Sequence, residues 1–334
     1  MNNRWLSDYA FIPLVRDTFT AWQTRLLGRQ LRRSTKFVLL TTGGVHAGLL
    51  SNFLQSQHYD FEVVVTRPVP PKRRSDQNLI QYRCAAILSR LKSNRYLRAI
   101  AGRELPTFAK DYIDGGFLNS RKLIKTLKQL NPTYIVLMNV GIVSPEVIRA
   151  AEAGVLNAHP GLLPWIRGVD AVASSLLEGI APGTTVHLVN DEVDTGPILC
   201  RHLLPPGDAT ELEELKRAAN VQALLALIGT IEGIGNGENL NSNVQSLRFP
   251  LHRRLRREEL NKAIAMASHG RANALYKHWS KQHPELSDGA PLLCKYGWRP
   301  DQLTAERTTW REQIKVPIRW LPMVRRNTGS GANA

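Results

Sequence analysis

Apolar positions along this chain recur in two periods, one near two residues and one near 3.6. Lys36–Thr42 is a short apolar run that ends at Gly43-Gly44, and Leu49, Leu50, Phe53 and Leu54 then follow at helical spacing. The pattern predicts strand, glycine turn and helix. Phe61–Thr66 is a second strand, stopped by Pro68, Pro70 and Pro71. Residues 76–100 carry Leu79, Ile80, Ala86, Ile87 and Leu91 on one helical side. Ser120 is placed to cap a helix whose apolar positions are Leu123, Ile124, Leu127 and Leu130, with Asn131-Pro132 as its stop. Tyr134–Met138 is a buried strand. Ser144-Pro145-Glu146 opens a helix that Gly154 is expected to close, and Val155–His159 is a strand cut off by Pro160. Thr184–Val189 and Ile198–Leu204 are further strands. Thr210-Glu211-Leu212-Glu213 forms a capping box for a helix running to about Gly233.

Strands that alternate with helices imply an α/β fold: a Rossmann-like, mostly parallel open sheet with helices on both faces. Ligands of such sheets sit beyond the carboxyl ends of the strands. The period-two signal fades after Gly237. Asn239, Asn241, Ser242 and Asn243 make a polar linker, and Leu255–Trp279 is helical and basic. Four segments result: a basic helical extension over 1–35, a main domain over 36–235, a mainly helical basic region over 236–325, and a disordered tail over 326–334.

Charge narrows the partners. The 334 residues include 44 Lys and Arg against 28 Asp and Glu, a net of +16. Such a field concentrates anionic partners, whether nucleic acid, nucleotide-sugar, phosphorylated metabolite or polyglutamylated folate. The excess gathers at 25–36, 67–103 and 248–262, where a solvated face is the plainer explanation of each cluster. No run reaches the roughly 18 apolar residues of a membrane span. Residues 1–35 lack the apolar centre and cleavage site of a secretory signal, so an ordinary added helix is favoured there over a membrane-surface anchor. Cys84, Cys200 and Cys294 are scattered, which suits a reducing, cytoplasmic compartment. The nine histidines are dispersed too, with no metal-ligand spacing, and no metal is expected.

Val155-Leu156-Asn157-Ala158-His159-Pro160 carries the candidate chemistry. Residues two apart on a strand share a face. Asn157 and His159 can therefore converge on one reacting atom, an amide to stabilise an oxyanion and an imidazole to move a proton. The loop Gly161–Gly168 follows directly and is shaped to wall a pocket for a flat heterocycle. A second loop, Asp191–Gly196, offers the Asp194 carboxylate, which beside His159 would fix its tautomer and raise its basicity. Read alone, Asp194 equally suits an Asx-type turn before Gly196.

Taken together, Asn157-Ala158-His159-Pro160-Gly161-Leu162-Leu163-Pro164, Arg167-Gly168, Thr185-Val186-His187 and Asp194-Thr195-Gly196-Pro197-Ile198 resemble the 10-formyltetrahydrofolate-dependent formyltransferase family. Asn119-Ser120 before a helix and the strand ending Val140-Gly141-Ile142-Val143 belong to the same resemblance, which spans about 36–235. It implies a Rossmann-like formyltransferase domain with Asn157, His159 and Asp194 as catalytic residues. It implies 10-formyltetrahydrofolate as co-substrate, lying among Gly141, Ile142, Val143, Leu163, Asp191 and Val193, and no metal. Gly43, Gly44, Arg167 and Gly168 fall on the acceptor side. Two departures stand out. Many members have Ser where Gly161 stands, and the phosphate loop of the glycinamide ribonucleotide enzymes is replaced by Thr42-Gly43-Gly44-Val45-His46-Ala47. Gly43-Gly44 can bring backbone amides to a phosphate at a helix N-terminus, or form a plain tight turn.

The expected activity is formyl transfer to an amine: an aminosugar nucleotide, methionyl-tRNA or another anionic amine. Asn157 and His159 would stabilise the tetrahedral intermediate while Asp194 orients His159 and relays the proton. Formyltetrahydrofolate hydrolysis is an alternative, although 1–35 is too short for the regulatory domain that deformylases carry. A nucleic-acid-binding protein on an inactive formyltransferase scaffold is another, favoured by the charge and opposed by the intact Asn157, His159 and Asp194. A tRNA acceptor remains open, but 245–334 does not read as the β-barrel of the methionyl-tRNA enzymes.

Overall fold

The computed structural model describes residues 34–68, 108–207, 209–238, 242–245 and 249–289. The extension at 1–33, the helix expected at 76–100, Arg248 and the tail at 326–334 lie outside the described residues. The elements are β1 (Lys36–Thr41), α1 (Val45–Ser56), β2 (Asp60–Arg67), β3 (Tyr112–Phe117), α2 (Arg121–Leu130), β4 (Tyr134–Met138), α3 (Pro145–Ile148), β5 (Gly154–His159), β6 (Arg167–Gly168), α4 (Ala171–Glu178), β7 (Gly183–Leu188), β8 (Ile198–Leu203), α5 (Leu212–Gly235), β9 (Leu251–His252), α6 (Arg257–Ser268), α7 (Arg271–Gln282) and β10 (Ser287–Asp288).

One sheet runs β10-β8-β7-β5-β4-β1-β2-β3, and β6 pairs with β9 apart from it. Neighbours are parallel except around β7, which is antiparallel to both β5 and β8. The central strand β1 explains itself by period two. Phe37 and Leu39 enter the core on the α1 and α5 side, and Val38 and Leu40 enter the core on the α2 and α3 side. All four are fully buried. A strand covered on both faces must be apolar throughout, which is why Lys36–Thr41 reads as a continuous run. Each such side chain contributes roughly 1.5–3 kcal/mol by leaving water.

From β1 the strand order goes outward in both directions, to β2 on one side and β4 on the other. That reversal leaves a crevice at the carboxyl ends of β1 and β4. Its rims are tied together. Thr42 Oγ1 donates to the Asn139 carbonyl at 2.6 Å, and Asn139 Nδ2 donates to the Gly43 carbonyl at 3.2 Å. Asn119 Nδ2 donates to the Ile142 carbonyl, while its Oδ1 accepts from the Ser144 N–H.

Several expectations shift by small amounts for local reasons. Ser120 does cap α2, its hydroxyl accepting from the Leu123 N–H at 3.2 Å. Gly154 does not close a helix: α3 ends at Ile148, and Gly154, at φ 133°, opens β5. The box that opens α5 is one residue late, with Glu211 as N-cap and Glu214 reaching back to the Thr210 and Glu211 N–H groups. The basic helix expected over Leu255–Trp279 is broken at His269-Gly270 into α6 and α7, Gly270 adopting φ 72°. Asn243 is no free linker residue, because it exchanges both backbone hydrogen bonds with Ile198. β3 was not expected at all. Its Asp114-Gly115-Gly116 centre breaks any alternation, and strand pairing with β2 at the sheet edge holds it.

α5 is long and apolar enough to cross a membrane by length and composition, yet 72% of its apolar window is buried inside the protein. It is the core helix beneath β5, β7 and β8. The 249–289 stretch joins the same core through Ala263, Ala267, Ala272, Leu275 and Trp279. Trp279 Nε1 donates to the Gly179 carbonyl at 3.1 Å, and its ring meets Trp165 edge-on at 5.2 Å. Leu255 N–H donates to Asp170 at 3.0 Å. The C-terminal helices are thereby fastened to the loop that follows β5.

Candidate active site

β5 and β7 are antiparallel neighbours, with Asn157 opposite His187 and His159 opposite Thr185. Four polar residues thus share one face at the carboxyl end of β5. Asn157 Nδ2 lies 3.1 Å from His187 Nε2. Asp194, on the β7–β8 loop, places Oδ2 at 3.6 Å from His159 Nδ1 and Oδ1 at 3.6 Å from His187 Nε2. Asn157, His159 and Asp194 are therefore brought together, with His187 between the amide and the carboxylate. His187 was present in the Thr185-Val186-His187 motif without a role. Its signal was the alternation of a strand that sets positions 185 and 187 on one face.

Hydrogen-bond partners settle the two tautomers. His187 Nδ1 faces the Leu188 carbonyl at 2.8 Å and must donate to it. Its Nε2 then accepts from the Asn157 amide, which fixes that amide's flip. His159 Nε2 faces the Ile166 carbonyl at 2.9 Å and must likewise donate, leaving Nδ1 toward Asp194. Gly168 N–H donates to Asp194 Oδ2 at 2.8 Å.

The electrostatics follow from this packing. Burial alone would push the Asp194 pKa up, but the positive charge that His159 carries when protonated, foremost, and the Gly168 N–H are among the influences that outweigh it. The carboxyl is held well below the usual carboxylate range, so it is an anion throughout the physiological range. Burial pulls the His159 pKa below its ordinary value, although Asp194 and the Ile166 carbonyl pull the other way. A neutral imidazole beside a fixed anion is poised to take up one proton.

The remaining expected residues divide. Gly141 and Ile142 are exposed on the crevice rim, with Ile142 at 72% exposure, while Val143 is buried beneath them. Asp191 is exposed and Val193 half-buried on the Asp194 loop. Leu163 is fully buried: its N–H donates to Thr185 Oγ1 and its carbonyl accepts from Arg201, so it anchors the loop. Arg167 is turned into the protein. Its guanidinium donates to the Val193 carbonyl through Nε and Nη2 and to the Phe249 carbonyl through Nη1. It therefore ties the Asp194 loop to the C-terminal stretch, and Gly168 contributes its N–H to Asp194. Gly43 and Gly44, at φ 96° and 105°, turn the chain from β1 into α1. The Gly43 N–H is already taken by Thr41 Oγ1 at 2.9 Å.

The family model described as formyl transferase matches residues 38–228. A methionyl-tRNA formyltransferase of Thermodesulfovibrio yellowstonii is 31% identical over 116 residues, 34% of this chain and 38% of that protein. A phosphoribosylglycinamide formyltransferase of Mycobacterium tuberculosis is 34% identical over 94 residues, 28% of this chain and 44% of that protein. The matched stretch is thus less than half of either relative. Among solved structures, a 4-N formyltransferase from Francisella tularensis is similar at a TM-score of 0.44 and 13% identity, covering 65% of this chain and 76% of that one. Glycinamide ribonucleotide transformylase 1 from Symbiobacterium toebii is similar at 0.42 and 18%, covering 64% and 94%. With more than half of its residues inside the matched family model, the chain belongs to the formyl transferase family.

Proposed function

We propose that this protein transfers the formyl group of 10-formyltetrahydrofolate to the amine of an anionic acceptor. The observation that carries this reading is the Asn157–His187–Asp194–His159 cluster at the carboxyl end of β5. The folate is a substrate here, held between the Gly141–Val143 rim and the Asp191–Val193 loop.

In this mechanism the unprotonated amine attacks the formyl carbon, and the carbonyl oxygen takes the negative charge. The Asn157 N–H that does not face His187 donates to that oxygen. One such donor is worth roughly 10²–10³ in rate. The amine proton passes to the His159–Asp194 pair, through a water where needed, and the resulting imidazolium also stabilises the oxyanion. Asp194 holds that cation in place. The pair then returns the proton to the folate nitrogen as the carbon–nitrogen bond breaks, so the residues end as they began.

The acceptor is an anion on this reading. Arg253, Arg254, Arg256 and Arg257 are exposed just after β9, and β9 pairs with β6, whose Gly168 N–H holds Asp194. The acceptors named in the relatives above, a charged tRNA and phosphoribosylglycinamide, both carry phosphate. An aminosugar nucleotide carries it as well.

The test is turnover of formyl-labelled 10-formyltetrahydrofolate with a panel of amines: aminosugar nucleotides, glycinamide ribonucleotide and charged initiator tRNA. Label transfer that needs both the amine and Asp194 supports the reading. Release of formate at the same rate without any amine would make the chain a hydrolase, and no turnover at all would favour binding on an inactive scaffold.

A further inference from the structure

Asp194 adopts φ 55°, in the left-handed region, where a side-chain-bearing residue is uncommon and persists because its surroundings fix it. Within the loop, Thr195 Oγ1 donates to Asn190 Oδ1 at 2.7 Å. The carbonyls on either side of Asp194 are met from outside the loop. The Val193 carbonyl, before it, accepts from the Arg167 guanidinium, which also donates to the Phe249 carbonyl. The Gly196 carbonyl, after it, accepts from Gln245 Nε2. At the start of β8, Ile198 exchanges both backbone hydrogen bonds with Asn243. Asn243, Gln245 and Phe249 thus hold the loop on both sides of Asp194. All three lie beyond residue 228, where the match to the family model ends.

Gln245 is the side chain of this set that touches the loop. It is 7% exposed, and its Oε1 is buried with no hydrogen-bond partner. Burying an unmet oxygen is unfavourable, and a methionine would fill similar space without one. What the amide supplies that an apolar side chain cannot is the donor to Gly196. Gly196 itself has no room to shift inward, because even a Cβ there would collide with the Leu188 carbonyl oxygen. That same carbonyl accepts from His187 Nδ1. Gln245 therefore holds Gly196 against the backbone that fixes the His187 tautomer, two residues after Asp194.

We propose that Gln245 is a positioning residue for the Asp194 carboxylate: its side-chain amide pins the Gly196 carbonyl and so keeps Asp194 aimed at His159 and His187. Without that donor the end of the loop is free to swing outward, and the carboxylate moves away from the His159 ring. The titratable groups that act on His159 are Asp194, His187 on β7 and His252 on β9. Of the three, only the Asp194 anion favours the protonated ring. Loss of the pin therefore lowers the affinity of His159 for a proton. The proposal rests on the formyl-transfer reading only for its kinetic consequence, and the placement of the carboxylate stands or falls separately.

Two measurements test it. In the full chain labelled with ¹⁵N-histidine, the His159 resonances, assigned by their loss in His159→Gln, are titrated in the unmodified protein and in Gln245→Met. The His159 pKa should be lower in Gln245→Met. An unmoved titration overturns the proposal, whether or not any formyl transfer is detected. Kinetically, Gln245→Met should lower kcat by about 10²-fold, the scale of a small misplacement of a reacting group, with KM for folate and acceptor unchanged. The acid limb of kcat should move to lower pH, a change that a merely structural glutamine would not produce. Unaltered kcat with an unmoved pH profile also overturns the proposal. Should Gln245→Met fail to fold, the Gln245 side-chain amide protons of the unmodified chain decide: protection from solvent exchange supports the pin, and exchange at the rate of a free glutamine overturns it. Absence of any turnover in the unmodified chain refutes the functional reading alone.

Discussion

The side-chain amide of Asn157 donates to Nε2 of His187 across 3.1 Å, between two antiparallel strands. An amide alone can flip, and a flipped Asn157 would present its oxygen, a repulsive group, to a developing oxyanion. His187 prevents this because its other nitrogen is committed to the Leu188 carbonyl. His187→Ala should therefore lower kcat by roughly 10–10²-fold, part of what one oxyanion donor supplies, while leaving KM for both substrates nearly unchanged. Steady-state kinetics with the best acceptor measure this. An unaltered kcat would mean that the amide is oriented by something else.

Asp194 accepts from the Gly168 N–H and faces His159 and His187, each at 3.6 Å. Asp194→Asn keeps the shape and removes the charge. The amide oxygen can still accept from the Gly168 N–H, and its N–H can face His187 Nε2, so the change isolates the charge. Turnover should fall by roughly 10³–10⁴-fold, the scale of neutralising the carboxylate partner of a catalytic imidazole. Circular dichroism should show the fold intact. His159→Ala should match it within the same range, because the two act as one proton carrier, and the double variant should be little worse than either single one. Additive losses would show that they act separately.

Both shifts predict the same response to acid, and the sign can be worked out. The folded pKa of His159 is lowered, so the native state binds fewer protons at this site than the unfolded chain does. Its contribution to stability is present above the ordinary histidine value of about 6.5 and is lost as pH falls through and below it. Asp194, also lowered, contributes above the ordinary value of about 4 and loses that contribution as pH falls further. Thermal melting should thus weaken in two stages on acidification. His159→Gln should shrink the upper stage, which His46 and His202 share because burial lowers their pKa values too, and Asp194→Asn should shrink the lower one. The acid limb of kcat/KM should fall below about 6.5, since a ring already protonated cannot accept the amine proton.

Much of this was legible in the sequence, for identifiable reasons. The central strands are apolar because both faces are covered, so β1, β2 and β4 show as plain runs. Asn157 and His159 declare a shared face through their spacing alone. What escaped depends on distant pairing. β3 is held by β2 and carries no alternation of its own. β6 and β9 are two residues each, and only their pairing makes them strands. Arg167 reads as a free cation in sequence, and only the fold shows its donors meeting the Val193 and Phe249 carbonyls. The role of His187 needed the register of β7 against β5.

That placement of Arg167 makes a stability prediction. Its side chain is buried, and it bridges the Asp194 loop to the chain at Phe249. Hydrogen bonds from a charged group contribute about 1.5–3 kcal/mol, and orphaned buried carbonyls add cost. Arg167→Met should destabilise the protein by roughly 3 kcal/mol in denaturant titration. Arg167→Lys should recover little, because one ammonium cannot span both carbonyls as a planar fork does. If instead Arg167→Lys is as stable as the parent and only KM for the acceptor rises, the guanidinium serves the acceptor.

The basic stretch after β9 gives the last prediction. Arg253, Arg254, Arg256 and Arg257 are exposed and have no ion-pair partner among the described residues. Glu259 does not neutralise them through a side-chain pair, since its carboxylate accepts from the Arg256 backbone N–H at 2.7 Å. The stretch starts where β9 ends, and β9 pairs with the strand whose glycine N–H holds Asp194. That pairing sets the start of the stretch beside the glycine that holds Asp194, so a phosphorylated acceptor is expected to meet it. Replacing all four by Gln should raise KM for a phosphorylated acceptor and leave KM for the folate unchanged. The effect should be larger at low salt, because exposed charges act through a screened field. For a polynucleotide acceptor, the slope of log affinity against log salt should flatten by about 0.7–0.9 for each lost phosphate contact. For a small acceptor it should change far less, so the slope separates tRNA from a sugar nucleotide. Identical kinetics in the quadruple variant at every salt concentration would make this stretch an ordinary solvated surface, and the acceptor's charge would then have to be met elsewhere.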